Sequence, residues 1–188
     1  GALEDVLGGG ICQVSTTIFN AALEAGLEIV ERHNHSLYID HYPAGRDATV
    51  TDGGKNLRFR NDTDHYIWVH GWSDGVTTVF NIYGTDDGRE IEITWSGREF
   101  GEEMSVEKYA VSSLQEGQTV IERAGQAARS CTITRTVTMP DGTVLHNGPE
   151  LFKSDFKMIS RVIQIAPPPT TTTTTLPGTT TTTLSPGA

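Results

Sequence analysis

At 188 residues with a formal net charge of −10 and a pI near 4.9, the chain is long enough for one domain with a small appendage, and too acidic to offer phosphates a basic face. Nucleic acid is excluded as a partner on that ground, and an anionic membrane surface is disfavoured. No apolar run is long enough to span a bilayer, so no transmembrane segment is expected in this chain.

Gly8-Gly9-Gly10 leads through Ile11 to Cys12. Val14, Ile18, Ala21, Ala22 and Ala25 then recur at steps of three and four, which predicts a helix over 13–25 with Gly26 as its stop. A thiol at the first turn of a helix meets unpaired N–H groups and the positive end of the dipole, both of which favour thiolate. The glycines permit close approach of a substrate backbone, and the N–H groups around Gly10 and Ile11 are candidate oxyanion donors. A cysteine here is equally compatible with a small buried hydrophobe. The histidines of Glu31-Arg32-His33-Asn34-His35-Ser36 favour the reactive reading, because nucleophilic catalysis pairs a thiol with an imidazole that takes its proton.

Leu27 to Val30 predicts a short strand that delivers Arg32, His33 and His35 at its end, and Ser36 to Tyr42 predicts a second. Pro43-Ala44-Gly45 turns the chain into Arg46 and Asp47. Asp47 fits the third place of a triad, orienting His35, and fits equally a turn cap or a partner for Arg46. Arg32 and Arg46 fit a substrate carboxylate, which the guanidinium fork matches bidentately. From 49 to 100, five strand-like runs separated by Gly- and Asp-rich turns predict an antiparallel meander. Trp68 and Trp72 read as sheet core in preference to a glycan-stacking platform.

Residues 101–119 carry no strong period and read as a connector. A small β unit follows, in which Arg129 to Thr138 alternates cleanly and Met139-Pro140-Asp141-Gly142 forms a hairpin turn. Ala166 to Ala188 is proline- and threonine-rich low-complexity text, expected to be a disordered stalk. Cys12 and Cys131 are read as free thiols, and the histidines lack metal-ligand spacing, so neither metal nor cofactor is expected.

The motif Gly8 to Thr17 (GGGICQVSTT), the run Glu31 to Ser36, Tyr42 to Val50 (YPAGRDATV) and Leu57 to Thr63 (LRFRNDT) resemble, in this order, the VanW family of bacterial cell-envelope proteins. The resemblance covers roughly the first half of the chain. It implies export to the cell envelope and, since some VanW domains act as L,D-transpeptidases, a cysteine that cross-links peptidoglycan stem peptides. By position Cys12 matches the family cysteine and His35 the histidine of its Arg-x-x-His-Ser pattern; Asn56 stands where many members carry Asp. The family domain normally begins upstream of the glycines, so the chain is read as a fragment.

The fold class expected is α+β: one N-terminal helix carrying the Cys motif against an antiparallel β-meander, then a small β module and a disordered tail. The corresponding segments are a VanW-like domain at 1–100, a connector at 101–119, an accessory module at 120–165 and a tail at 166–188. The expected activity is cysteine acyl transfer on peptidoglycan, with a stem-peptide hydrolase and a non-catalytic wall-binding protein as alternatives. Cys12, His35 and Asp47 are the expected catalytic residues. Substrate contacts are expected from Gly8, Gly9, Gln13, Arg32, His33, Ser36, Tyr42 and Arg46.

Overall fold

The computed structural model describes residues 10–168. Helix α1 (Ile11–Glu24) buries Phe19, Ala22 and Leu23 on one stripe, the spacing that brings side chains to one face. It ends in a paired cap: Leu27 N–H donates to the Ala22 carbonyl (3.1 Å) and Gly26 N–H to that of Leu23 (3.3 Å). Gly26 sits at φ 69°, a left-handed conformation that this closure requires and glycine adopts without strain.

Eleven strands follow in the described residues: β1 (Glu28–Glu31), β2 (Arg58–Arg60), β3 (Trp68–Ser73), β4 (Thr78–Tyr83), β5 (Glu90–Trp95), β6 (Glu99–Phe100), β7 (Val106–Ala110), β8 (Thr119–Arg123), β9 (Arg129–Thr138), β10 (Glu150–Phe156) and β11 (Arg161–Ile165). They form two antiparallel pairs, β1–β2 and β3–β4, a sheet ordered β10-β9-β5 with β6 also on β9, and a sheet ordered β7-β11-β8. Strand β9 buries Cys131, Ile133, Arg135 and Val137 on alternate positions, and Phe19, Leu23 and Ala48 form the core cluster, against which Ile29, Leu57, Ile93 and Phe152 pack.

The expected α+β arrangement, a helix laid on one antiparallel meander, is corrected. The described chain is mostly β-sheet with a single short helix, and its strands do not pair as a consecutive meander. Turn signals describe where the chain reverses, not which strand it then joins. Strand β5 skips its neighbour β4 and pairs with β9, placing Glu90 opposite Thr138 and Trp95 opposite Ile133. The pair β7–β11 is parallel, a long-range contact that local turn chemistry cannot announce. Residues 101–119, read as a connector, contribute β7, whereas Ser36–Tyr42 and Ala48–Val50, read as strands, are irregular. Trp68 and Trp72 are not sheet core: they are 63% and 48% exposed. The expected tail lies almost wholly outside the described residues.

Arg135 locks the sheet to the helix. It is fully buried, donates through Nη1 and Nη2 to the Leu23 and Leu27 carbonyls (3.0 and 2.9 Å), and through Nε to Glu150 (2.7 Å). A buried guanidinium is tolerated only with its donors satisfied, and here they are taken up by carbonyls at and just beyond the end of α1. Arg135→Ala removes the buried cation paired with Glu150 and the donors to both carbonyls, so unfolding by urea is expected to show a loss of about 3–5 kcal/mol. Arg135→Met, which keeps the volume, should lose less.

Candidate functional site

Three pieces of chain meet at the start of α1. Ser15 and Thr16, poor helix formers at buried positions, donate their hydroxyls to the Ala48 carbonyl (2.6 and 3.1 Å), and Ala48 N–H returns a bond to Thr16 (3.0 Å). The extended segment 47–50 is thereby held beside the first helical turn. Thr49 N–H then donates to the His33 carbonyl (2.8 Å), which brings in the segment leaving β1.

Cys12 lies in that first turn, partly exposed, with its sulfur 3.4 Å from the Thr49 hydroxyl and 3.9 Å from the Val50 carbonyl. Burial pushes the thiol up, but hydrogen bonds to the Thr49 side chain, the Val50 backbone and His35, together with the His35 charge, prevail and lower it below its ordinary value. His35 Nδ1 is 2.8 Å from Asp47 Oδ2, and His35 N–H donates to the same oxygen at 2.7 Å. That contact, assisted by Cys12, raises the imidazole above its usual range against the opposing effect of burial. Burial raises the Asp47 carboxyl, yet the bonds from His35 and the Arg32 charge hold it below the normal carboxylate range. With Nδ1 taken by Asp47, Nε2 is the ring nitrogen that remains. The His35–Asp47 contact is one by which a carboxylate can orient an imidazole.

The other sequence-selected residues divide by position. Gly10 caps α1 at φ 104°, and the N–H groups of Ile11, Cys12 and Gln13 fall in the turn that has no intrahelical acceptor. Tyr42 is 8% exposed and stacks on the His35 ring, centroids 5.5 Å apart, so it shields one face of the imidazole. Gln13 is half-buried and its carbonyl accepts from Thr17; Ser36 is exposed. His33 turns away to Glu31 (3.0 Å), because β1 ends at Glu31 and the alternation that would align it with His35 stops there. Arg46 pairs with Glu24 at 2.7 Å. Arg32 is not placed for a substrate carboxylate: its side chain is 4% exposed and its donors are spent on protein acceptors, among them Asp47. Gly8 and Gly9 lie outside the described residues.

Gly45, at φ 76°, lets the loop bearing Asp47 press against β9: a Cβ there would stand 2.9 Å from Ile133 Cγ1 and 3.2 Å from the Cys131 sulfur. Cys131 is buried and its thiol is pushed up by that burial, the opposite sense to Cys12. Sequence reasoning missed Ser15, Thr16 and Thr49. The first two carried a signal, since hydroxyls on the buried stripe of a helix need an acceptor; Thr49 carried none.

Residues 1–83 match the family model described as VanW like protein. The chain is 43% identical over 86 residues to the uncharacterized protein YoaR of Bacillus subtilis, covering 46% of this chain and 28% of that one. It is 37% identical over 78 residues to the vancomycin B-type resistance protein VanW of Enterococcus faecalis, covering 37% of this chain and 28% of that one. The chain therefore spans little more than a quarter of the length of these curated relatives. Among solved structures it is similar to HP0197-G5 (16% identity, TM-score 0.22, 42% of this chain and 97% of that one) and to the G5 domain of IgA1 protease (14%, TM-score 0.25, 44% and 98%). At such TM-scores the likeness decides neither fold nor function.

Proposed function

Residues 1–83 of this chain belong to the VanW family, and from that premise we propose an exported, envelope-associated cysteine acyl transferase acting on peptidoglycan stem peptides. The observation that carries it is the His35–Asp47 contact at 2.8 Å, with a partly exposed Cys12 in the first turn of α1 whose thiol is lowered, His35 among the causes. The name of the Enterococcus relative, a vancomycin resistance protein, supports a cell-wall setting. Among the described residues no helix is long and apolar enough to cross a membrane.

In this reading the Cys12 sulfur attacks the carbonyl of an L,D peptide bond while His35 Nε2 takes the thiol proton. The oxyanion is held by N–H groups from Gly10 to Cys12, where donors are fixed before the charge develops. Collapse breaks the C–N bond, and His35 returns the proton to the departing amine. An amine from a neighbouring stem then attacks the thioester, forming the new amide and restoring the thiol. Purified muropeptides incubated with the chain should yield dimeric products lost in Cys12→Ala. Cleaved stems without dimers would identify a peptidase, since water then replaces the amine.

A second reading, a non-catalytic wall-binding protein, is favoured by one observation. On the β3–β4 pair Trp68, Trp72 and Tyr83 are 63%, 48% and 52% exposed, and the Trp68 and Tyr83 rings stand 5.4 Å apart. Exposed aromatic faces suit sugar stacking. Sedimentation with insoluble peptidoglycan that is unchanged in Cys12→Ala, with no product formed by the wild type, would select this reading.

A further inference from the structure

The family model ends at residue 83, yet the segment carrying His35 leans on a strand far beyond it. Among the described residues the sheet order leaves one side of β10 without a strand, and residues 32–36 run along it. Arg32 Nη1 donates to the Lys153 carbonyl (3.1 Å), Asn34 Nδ2 to the Asp155 carbonyl (2.8 Å), and Lys157 N–H to the Ser36 carbonyl (2.8 Å). Beyond them Tyr38 packs edge-on against Phe156, centroids 5.3 Å apart. An edge strand presents unpaired backbone groups, and here the turn bearing the imidazole takes them up.

Within this contact one side chain is out of character. On β10 the inward row reads Phe152, Ser154, Phe156, and Ser154 is fully buried between the two aromatics. A buried hydroxyl is costly without a partner. Its partner is Arg32, whose Nη2 donates to Ser154 Oγ at 2.9 Å while also reaching Asp47 Oδ1 (3.0 Å) and the Gly45 carbonyl (3.1 Å). Arg32 Nε donates to the Asp47 carbonyl at 2.7 Å, so the guanidinium grips Asp47 at both main chain and carboxylate.

We propose that β10 is a supporting wall of the catalytic site and that Ser154 is a positioning residue, acting through Arg32 on the carboxylate that orients His35. This rests on the triad reading above. The sheet that follows the family-matched residues is then part of the site's construction, and residues 1–83 alone hold the reacting groups without the surface that aligns them.

The test is the pH dependence of Cys12 alkylation by iodoacetamide on the full chain, followed by mass spectrometry that separates Cys12 from Cys131. Ser154→Ala should raise the pH at which Cys12 becomes reactive and slow its labelling near neutrality by about three- to tenfold, as an upward displacement of half to one pH unit requires. Ser154→Thr and Ser154→Val add nearly equal bulk and differ in the hydroxyl. The threonine variant should keep the wild-type profile and the valine variant should shift as alanine does. In an Arg32→Lys background the Ser154→Ala change should have no further effect on the profile. Leu151→Ala, on the exposed side of the same strand, should behave as wild type. A wild-type profile in folded Ser154→Ala or Ser154→Val overturns the proposal, as does an equal shift in the threonine and valine variants. Labelling needs no acyl transfer, so a chain that yields no muropeptide product yet shows the shift loses the transferase reading and keeps this one.

Discussion

Cys12→Ala is expected to lower the turnover of muropeptide cross-linking by about 10⁴–10⁶-fold, the scale on which removal of a nucleophile acts when its partners are left in place. Cys12→Ser should be nearly as inactive. A serine hydroxyl, far less acidic than a thiol, is not ionised by the contacts that lower the thiol, namely the Thr49 hydroxyl, the Val50 backbone and the His35 ring. The result to read is the initial rate of dimer formation, with folding verified by circular dichroism. Full activity in the serine variant would refute covalent catalysis through sulfur. A chemical companion follows from the two thiols: Cys12 is partly exposed and lowered, Cys131 buried and raised, so iodoacetamide should label Cys12 first in the native chain. His35→Ala should then approach the loss of Cys12→Ala, while His33→Ala, whose ring is turned to Glu31, should stay within a few-fold of wild type.

The residues of the site could be read from the chain more readily than their arrangement. Cys12 and His35 are visible because thiol and imidazole have few reasons to recur near a glycine turn and a helix start. Asp47 fits a triad, a turn cap or a partner for Arg46 in the sequence; its carboxylate meets His35 Nδ1 at 2.8 Å and Arg32 at 3.0 Å, contacts that no spacing encodes. Arg32 looked like a ligand for carboxylates because charge on a segment end suggests solvent. It is instead buried, since β10 closes over it, and β10 is more than a hundred residues away. The same distance effect undid the meander: Ile91 and Ile93 have the alternation of a strand, but their partners are Val137 and Arg135 rather than the preceding hairpin. Periodicity fixes which face of a strand is buried, and leaves open what buries it. Trp68 and Trp72 show the converse error, aromatic residues taken for core that stand exposed because, among the described residues, no layer covers that face of the β3–β4 pair.

Asp47→Asn should lower turnover by about 10⁴-fold with the chain still folded, because it changes the proton that His35 carries rather than its place. Asp47 Oδ2 accepts from both His35 N–H and Nδ1, while Oδ1 accepts from Arg32. An asparagine has one oxygen for these two roles. If its oxygen faces Arg32, its amide N–H groups confront Nδ1, which must then accept; the ring proton moves to Nε2 and no base remains for the thiol. If its oxygen faces His35, its N–H groups confront the guanidinium, and a 4%-exposed charge loses its partner at about 3–5 kcal/mol. Stability should carry the signature in pH. Asp47 titrates below its ordinary 3.8 in the folded chain, so the unfolded chain takes up protons first on acidification and this contribution vanishes as pH falls through the folded value. His35 titrates above its ordinary 6.5, so its contribution is complete below that value and fades as pH rises through the folded one. The gap in unfolding free energy between wild type and Asp47→Asn should therefore be widest from about pH 4 to 6.5, narrowing strongly towards acid and only by the His35 share towards base. Urea melts that extend from about pH 2 to about pH 9 decide the matter: a gap independent of pH over that span would mean that Asp47 is held by packing alone and does not orient the imidazole.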